Sequence, residues 1–128
     1  MCLTSTHKVG SILITGDIER AIERKLVENQ SILLDTDVLI VPHHGSNSSS
    51  TTEFIQSTSP EHAVFATGYR NPYGFPKEKV VSRYEEFGSA LANTASQGMI
   101  TFSFSNKTGL QPQPGYRETR RKFWHSIY

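Results

Sequence analysis

The sequence predicts an α/β fold, with strands and helices alternating so that helices cover at least one face of a sheet. Three observations predict it. Short apolar runs recur at Ser11-Ile-Leu-Ile-Thr15, Asp37-Val-Leu-Ile-Val41 and His62-Ala-Val-Phe-Ala-Thr67, each ended by a glycine or proline. Between them the apolar spacing lengthens to three and four residues, the period of an amphipathic helix. A polar cluster follows each run, which is where α/β sheets collect their sites.

The run from Ser11 is a buried strand, and Gly16 turns it. From Ile18 a helix follows, with Ile18, Ala21, Ile22 and Leu26 inward and Glu19, Arg20, Glu23 and Arg24 outward. Asp37 to Val41 is the second buried strand, stopped by Pro42, which cannot donate to a ladder. His43 to Ser50 reads as a polar loop, Thr52 to Ser57 as a short helix and His62 to Thr67 as the third strand. Tyr69 to Pro76 is a loop rich in Asn, Pro, Gly and Tyr. Lys77 to Phe87 is a helix with Val80, Val81, Tyr84 and Phe87 inward, closed by Gly88. Met99-Ile-Thr-Phe-Ser-Phe104 alternates apolar and polar positions, as a half-exposed strand does. A turn at Asn106 to Gly109 follows, then an irregular Gln111-Pro-Gln-Pro-Gly115 linker and a basic, aromatic end.

With 128 residues the chain is one domain or a piece of one. Residues 1–110 are expected to form the folded unit and residues 111–128 a basic-aromatic tail. Hydrophobic residues at 36% and charged residues at 20% suit a globular chain and exclude a disordered one. The net charge of +1 gives no global attraction to nucleic acid or membrane. No apolar run approaches the ~20 residues needed to cross a bilayer, and the N-terminus lacks the pattern of a secretory signal. The single cysteine, Cys2, excludes an intrachain disulfide and a multi-cysteine zinc site.

Thr15-Gly-Asp17, Pro42-His-His-Gly-Ser46 and Gly68-Tyr-Arg-Asn-Pro-Tyr-Gly74 all sit beyond strand ends and are expected to share one rim. A carboxylate on one strand end and imidazoles on the next suit Zn²⁺ or Mn²⁺, so Asp17, His43 and His44 are the candidate ligands. Asp17 also reads as a helix N-cap, since Asp is favoured there. Ser46 and Ser48 offer hydroxyls to a phosphate, or belong to a solvated loop with a helix cap. Asn71 and Tyr73, with Arg70, face an anionic substrate or are ordinary turn residues. Arg117, Arg120, Arg121 and Lys122, interleaved with Tyr116, Phe123 and Trp124, read as a single-strand contact or as a solvated terminal helix docked on the core. His7, His62 and His125 have no partner motif and read as structural or surface residues.

Ile12-Leu-Ile-Thr-Gly-Asp-Ile-Glu19, Asp37-Val-Leu-Ile-Val-Pro-His-His-Gly-Ser46 and Asn71-Pro-Tyr-Gly-Phe-Pro76 resemble the ComEC/Rec2 competence family over nearly the whole chain. They match its metallo-β-lactamase-like domain. The resemblance implies the C-terminal portion of an αββα sandwich whose early His-x-His-x-Asp-His motif lies outside this chain. It matches Asp17 to the metal-bridging Asp and the His43-His44 pair to the late ligand. By analogy with loops whose ligand directly precedes Gly, His44 is favoured and His43 stays open. It implies a Zn²⁺- or Mn²⁺-dependent nuclease, binuclear in the complete domain, with Asp17 and His44 catalytic. Its partners would be single-stranded DNA, the membrane channel portion of the parent protein and the missing half of the domain. Phe75 stands where the family often has His, so no proton transfer is assigned there. With so few ligands the chain alone is expected to be inactive and to self-associate through its uncovered sheet. Two other readings stand beside this one: a non-catalytic, DNA-contacting or structural module, and a small-molecule metallo-hydrolase of the same superfamily.

Overall fold

The computed structural model describes residues 3–7, 9–30 and 33–120. Its elements run β1 (Leu3–His7), β2 (Gly10–Ile14), α1 (Arg20–Gln30), β3 (Val38–Ile40), α2 (Thr52–Thr58), β4 (His62–Phe65), α3 (Glu78–Glu86), β5 (Ala90–Asn93), α4 (Thr94–Gln97), β6 (Phe102–Ser105), β7 (Gly109–Pro112) and α5 (Tyr116–Thr119). A 3-10 turn at Pro42–Gly45 follows β3. The α/β alternation expected from the periodicity is what the chain adopts.

The first five strands form one sheet in chain order. β1 pairs antiparallel with β2, and β2 through β5 are parallel neighbours. The register aligns Leu13, Leu39, Ala63 and Leu91 in one row across those parallel strands. Side chains alternate between faces along a strand, so this row belongs to a single face. Strands added in one direction by crossovers of one hand carry their helices on that same face. Leu13, Leu39 and Ala63 accordingly share a core cluster with Ile18, Phe54, Ile55, Val80 and Tyr84, while Leu26, Val27, Val81 and Leu91 pack around it. Phe54 and Phe65 are fully or almost fully buried, and Phe65 meets Tyr84 edge to face with centroids 5.8 Å apart.

The opposite face is only partly covered. β6 and β7 form a separate antiparallel hairpin whose Phe102 ring lies 5.2 Å from that of His62. A Cβ on Gly10 would stand 2.4 Å from the Phe104 ring, so only glycine admits that aromatic. Val38 and Val64 are buried on this face, whereas Ile14, which shares a row with Ile40 and Val64, is 42% exposed.

The departures from the sequence reading have physical causes. Ala90–Asn93 carries no β-branched residue to announce a strand, yet it completes the sheet beside β4. The Gln111-Pro112 stretch, read as linker, is the second strand of the hairpin, and Met99 lies outside β6 and is exposed. In α1, Ala21 and Ile22 face solvent and Glu23 is buried, the reverse of the amphipathic reading. Phe87 also faces solvent. Glu23 is buried because two backbone donors need it. Its Oε1 accepts Ser50 N–H at 2.6 Å and its Oε2 accepts Thr51 N–H at 2.9 Å. Tyr84 closes the same region by donating its hydroxyl to Ser50 Oγ at 3.0 Å, and Arg83 donates to Ser50 O at 2.7 Å.

Two outcomes follow for stability. Replacing Glu23 with Leu leaves two buried N–H groups unmade and is expected to lower the urea-unfolding free energy by about 3 kcal/mol, with Glu23→Gln losing less because one acceptor oxygen remains. Tyr84 gives a pH signature, because burial raises its phenol above the usual 10.0, the Ser50 hydrogen bond and Arg83 opposing and Glu23 assisting. The fold holds the neutral phenol, so its contribution is complete below pH ~10 and declines above it by up to about 1.4 kcal/mol per pH unit. Alkaline unfolding curves of Tyr84→Phe should lack that part of the slope.

Candidate functional site

The polar clusters meet at the carboxyl ends of β2, β3 and β4, as expected for a shared rim. Pro42 ends β3, and the chain then takes left-handed backbone conformations at His43 (φ 46, ψ 44) and His44 (φ 55, ψ 18), with Gly45 at φ 82. Such conformations are costly for residues with a Cβ and concentrate at functional positions. Neighbouring elements hold the turn in place. His43 N–H donates to Gly16 O at 3.0 Å, and Lys77 N–H donates to Gly45 O at 2.9 Å. Thr15 Oγ1 donates to Ile40 O at 2.7 Å, tying the end of β2 to β3. A Cβ on Gly45 would stand 2.7 Å from Pro76 and 3.0 Å from Phe65, so this glycine is required by both space and backbone.

This turn directs His44 at Asp17. His44 Nδ1 lies 2.7 Å from Ala66 O. A carbonyl oxygen only accepts, so Nδ1 carries the proton and Nε2 is the free ring nitrogen. Nε2 lies 3.4 Å from Asp17 Oδ1, both side chains being about half exposed or more. Asp17 is not the N-cap of α1. The carbonyl of Glu19 accepts from Ile22 and Glu23 N–H, and so begins the helix.

His43 has a different environment. Its Nδ1 stands 3.1 Å from Glu19 Oε1, in a geometry that makes no hydrogen bond and leaves the buried nitrogen without one. Glu19 Oε1 accepts from Ser48 Oγ at 2.9 Å. That uses the Ser48 proton, so the 3.0 Å contact between the Ser46 and Ser48 hydroxyls is a donation from Ser46. Ser49 Oγ is within 3.0 Å of both Pro42 O and Ser46 O. Ser46 and Ser48 therefore belong to a network that braces the histidine turn. Glu19 is the carboxylate that the sequence reading left on the solvent face of a helix, and its position two residues after Asp17 is the signal that could have found it.

The third cluster closes the rim. His44, Ala66, Thr67, Gly68, Asn71, Tyr73 and Phe75 line a cleft of about 200 Å³. Asn71 braces the loop, accepting Phe75 N–H at 2.8 Å and donating to Gly68 O and Phe75 O. Tyr73 is 70% exposed and stacks on Phe75, the ring planes 19° apart and the centroids 5.6 Å apart. Phe75 in turn meets the His43 ring at 6.0 Å.

The basic residues of the tail are placed elsewhere. Arg117 donates from Nη1 to Ala95 O in α4, and Arg120 lies 5.9 Å over the Tyr116 ring. Arg121, Lys122, Phe123, Trp124 and His125 lie outside the described residues, as does Cys2. Among the described residues there is no group of three or more His, Cys, Asp or Glu side chains placed to hold a metal ion, and no helix is long and apolar enough to cross a membrane.

No family model matches the chain. It is similar to the competence protein ComA of Neisseria gonorrhoeae, at 39% identity over 92 residues, or 72% of this chain. It is 33% identical over 99 residues to ComE operon protein 3 of Bacillus subtilis. It is 32% identical over 122 residues, or 91% of the chain, to recombination protein 2 of Haemophilus influenzae. The aligned region amounts to only 13–14% of the length of these relatives. As the counterpart of one short segment of those longer proteins, the chain belongs to the ComEC/Rec2 family.

Proposed function

We propose that this chain is part of a metallo-β-lactamase-like, metal-dependent hydrolase domain that cleaves the phosphodiester backbone of DNA during uptake in competence. The observation that carries this reading is the Asp17–His44 pair. With Nδ1 donating to Ala66 O, His44 turns Nε2, an acceptor whenever it carries no proton, toward a carboxylate oxygen 3.4 Å away. Two acceptors so placed need a proton or a metal cation between them. Two ligand atoms, each about 2.0–2.2 Å from a tetrahedral Zn²⁺, stand roughly 3.4 Å apart, so the pair is already spaced for one ion. Donation of the second ring nitrogen to a backbone carbonyl is also the usual way a ligating histidine is oriented. His44 is thereby favoured over His43 as the ligand.

Zn²⁺ or Mn²⁺ bound here would neutralise charge on a phosphate and lower the pKa of a bound water toward ~7. Asp17 and His44 would supply two of its ligands. Among the described residues no third ligand stands with the pair, so the remaining ligands would come from outside the described residues, from solvent or from substrate. The names of the relatives, a competence protein and a recombination protein, support DNA as the substrate and uptake as the setting, with a membrane channel portion of the parent protein as partner. The sheet face left open around Ile14 is where the second layer of the sandwich would pack.

Calorimetric titration of the chain with Zn²⁺ and Mn²⁺ tests the reading. Asp17→Ala and His44→Ala should each weaken binding by about tenfold or more, and Gly45→Ala should do the same by moving the turn. Thr108→Ala, in the exposed turn between β6 and β7, should leave the affinity unchanged, because it lies outside the rim. Equal affinity in all four variants would remove Asp17 and His44 from the metal site and with them the hydrolase reading.

A further inference from the structure

We propose that Tyr73 and Phe75 form a stacking platform for an unpaired nucleobase next to the scissile phosphate; this rests on the nuclease reading and adds how its substrate is held. The two rings are nearly parallel, at 19° and 5.6 Å, and the outer one, Tyr73, is 70% exposed. An aromatic ring held flat against a second ring, with its outer face in water, fits a planar aromatic ligand, and every base offers such a face. The platform continues the ligand pair, because Tyr73, Phe75 and His44 line the same cleft and Phe75 touches His43.

Charge supports the same occupant. Lys77 Nζ sits 5.3 Å over the Phe75 ring and donates to Tyr73 O at 2.6 Å, leaving further ammonium donors for a backbone phosphate. Arg70, on the same loop, lies 5.1 Å from the Tyr69 ring centroid. Cations beside stacked aromatics are the arrangement that tracks a single strand. In a duplex each base face is already covered by its neighbours, so the platform selects single-stranded substrate. It also places base contact at the 69–77 loop. Arg117 and Arg120 of the tail are directed at Ala95 and Tyr116.

The test is fluorescence-anisotropy binding of a labelled oligothymidylate, the abasic oligomer of equal length and a duplex, to the full chain without added metal. The expected result is preference for the base-bearing single strand over both competitors. Tyr73→Ala should reduce that preference about tenfold, while Tyr73→Phe, which keeps the ring, should retain it. Tyr73 is exposed, so the alanine variant tests binding and not folding. Equal binding of base-bearing and abasic strands, or an unchanged preference in Tyr73→Ala, overturns the platform even where Asp17-dependent cleavage is found. A Tyr73-dependent preference in a chain whose metal binding ignores Asp17 and His44 upholds the platform and sinks the hydrolase reading instead.

Discussion

The buried carboxylate of Glu23 is the interaction on which the arrangement of the rim depends. A carboxylate removed from water is tolerated only when its oxygens are satisfied, and here each oxygen takes one backbone N–H of the segment that follows the histidine turn. Ser50 has a left-handed backbone, φ 58, and groups from all three helices converge on it and on Thr51, Glu23 of α1 as the acceptor. Tyr84 and Arg83 of α3 donate to Ser50, and Thr51 Oγ1 accepts Phe54 N–H to begin α2. One acidic side chain from α1 thus sets where α2 starts and how α3 leans on the loop. The path from His43 to Thr51 is fixed at its far end by Glu23 and at its near end by β3.

At the near end the chemistry is divided between two imidazoles that differ in their neighbours. His44 is oriented by Ala66 O and reaches toward Asp17 with the nitrogen that remains. His43 lies against Glu19 and the edge of Phe75, more enclosed than its neighbour. Adjacent residues in an extended segment point to opposite sides, which would have separated the two rings. The consecutive left-handed conformations instead keep both on the rim, with centroids 6.4 Å apart. The two carboxylates divide likewise. Asp17 is left to His44, and Glu19 is engaged by the Ser46–Ser48 hydroxyls, so only the Asp17–His44 pair is free of the bracing network.

Much of this was legible in the sequence. The strands from Ser11, Asp37 and His62 are continuous apolar runs, the pattern of parallel strands, and their ends announced the rim. The Asp17–His44 pairing follows from two such ends being neighbours in the sheet. Three things were hidden. Glu23 sits at a helical position where periodicity assigns solvent, and its burial is decided by amides 27 and 28 residues away. β5, Ala-Leu-Ala-Asn, has little β-propensity of its own and becomes a strand because β4 offers an unpaired edge. The proline in Gln111-Pro112 suggested a linker, but at the end of a two-stranded hairpin a missing N–H costs nothing that a ladder requires.

The strain in the histidine turn explains why the ligand pair is held by so many independent contacts. Left-handed backbone costs roughly 1–2 kcal/mol for each residue bearing a Cβ, so His43 and His44 would relax unless their surroundings outweighed that cost. Three anchors do so from three directions: Gly16 O at the end of β2, Ala66 O at the end of β4, and Lys77 N–H at the start of α3. Gly45 then allows Phe65 and Pro76 to close over the turn without clash. Because two of the three anchors belong to strand ends, the sheet sets where His44 is presented to Asp17. A shift of β2 against β4 would move the His44 ring relative to the Asp17 backbone, whereas motion of the exposed Asp17 side chain alone would not carry His44 away. The placement of a half-exposed imidazole therefore comes from the buried sheet, and that is how a site with much of its surface in water can still present one ligand in a fixed position.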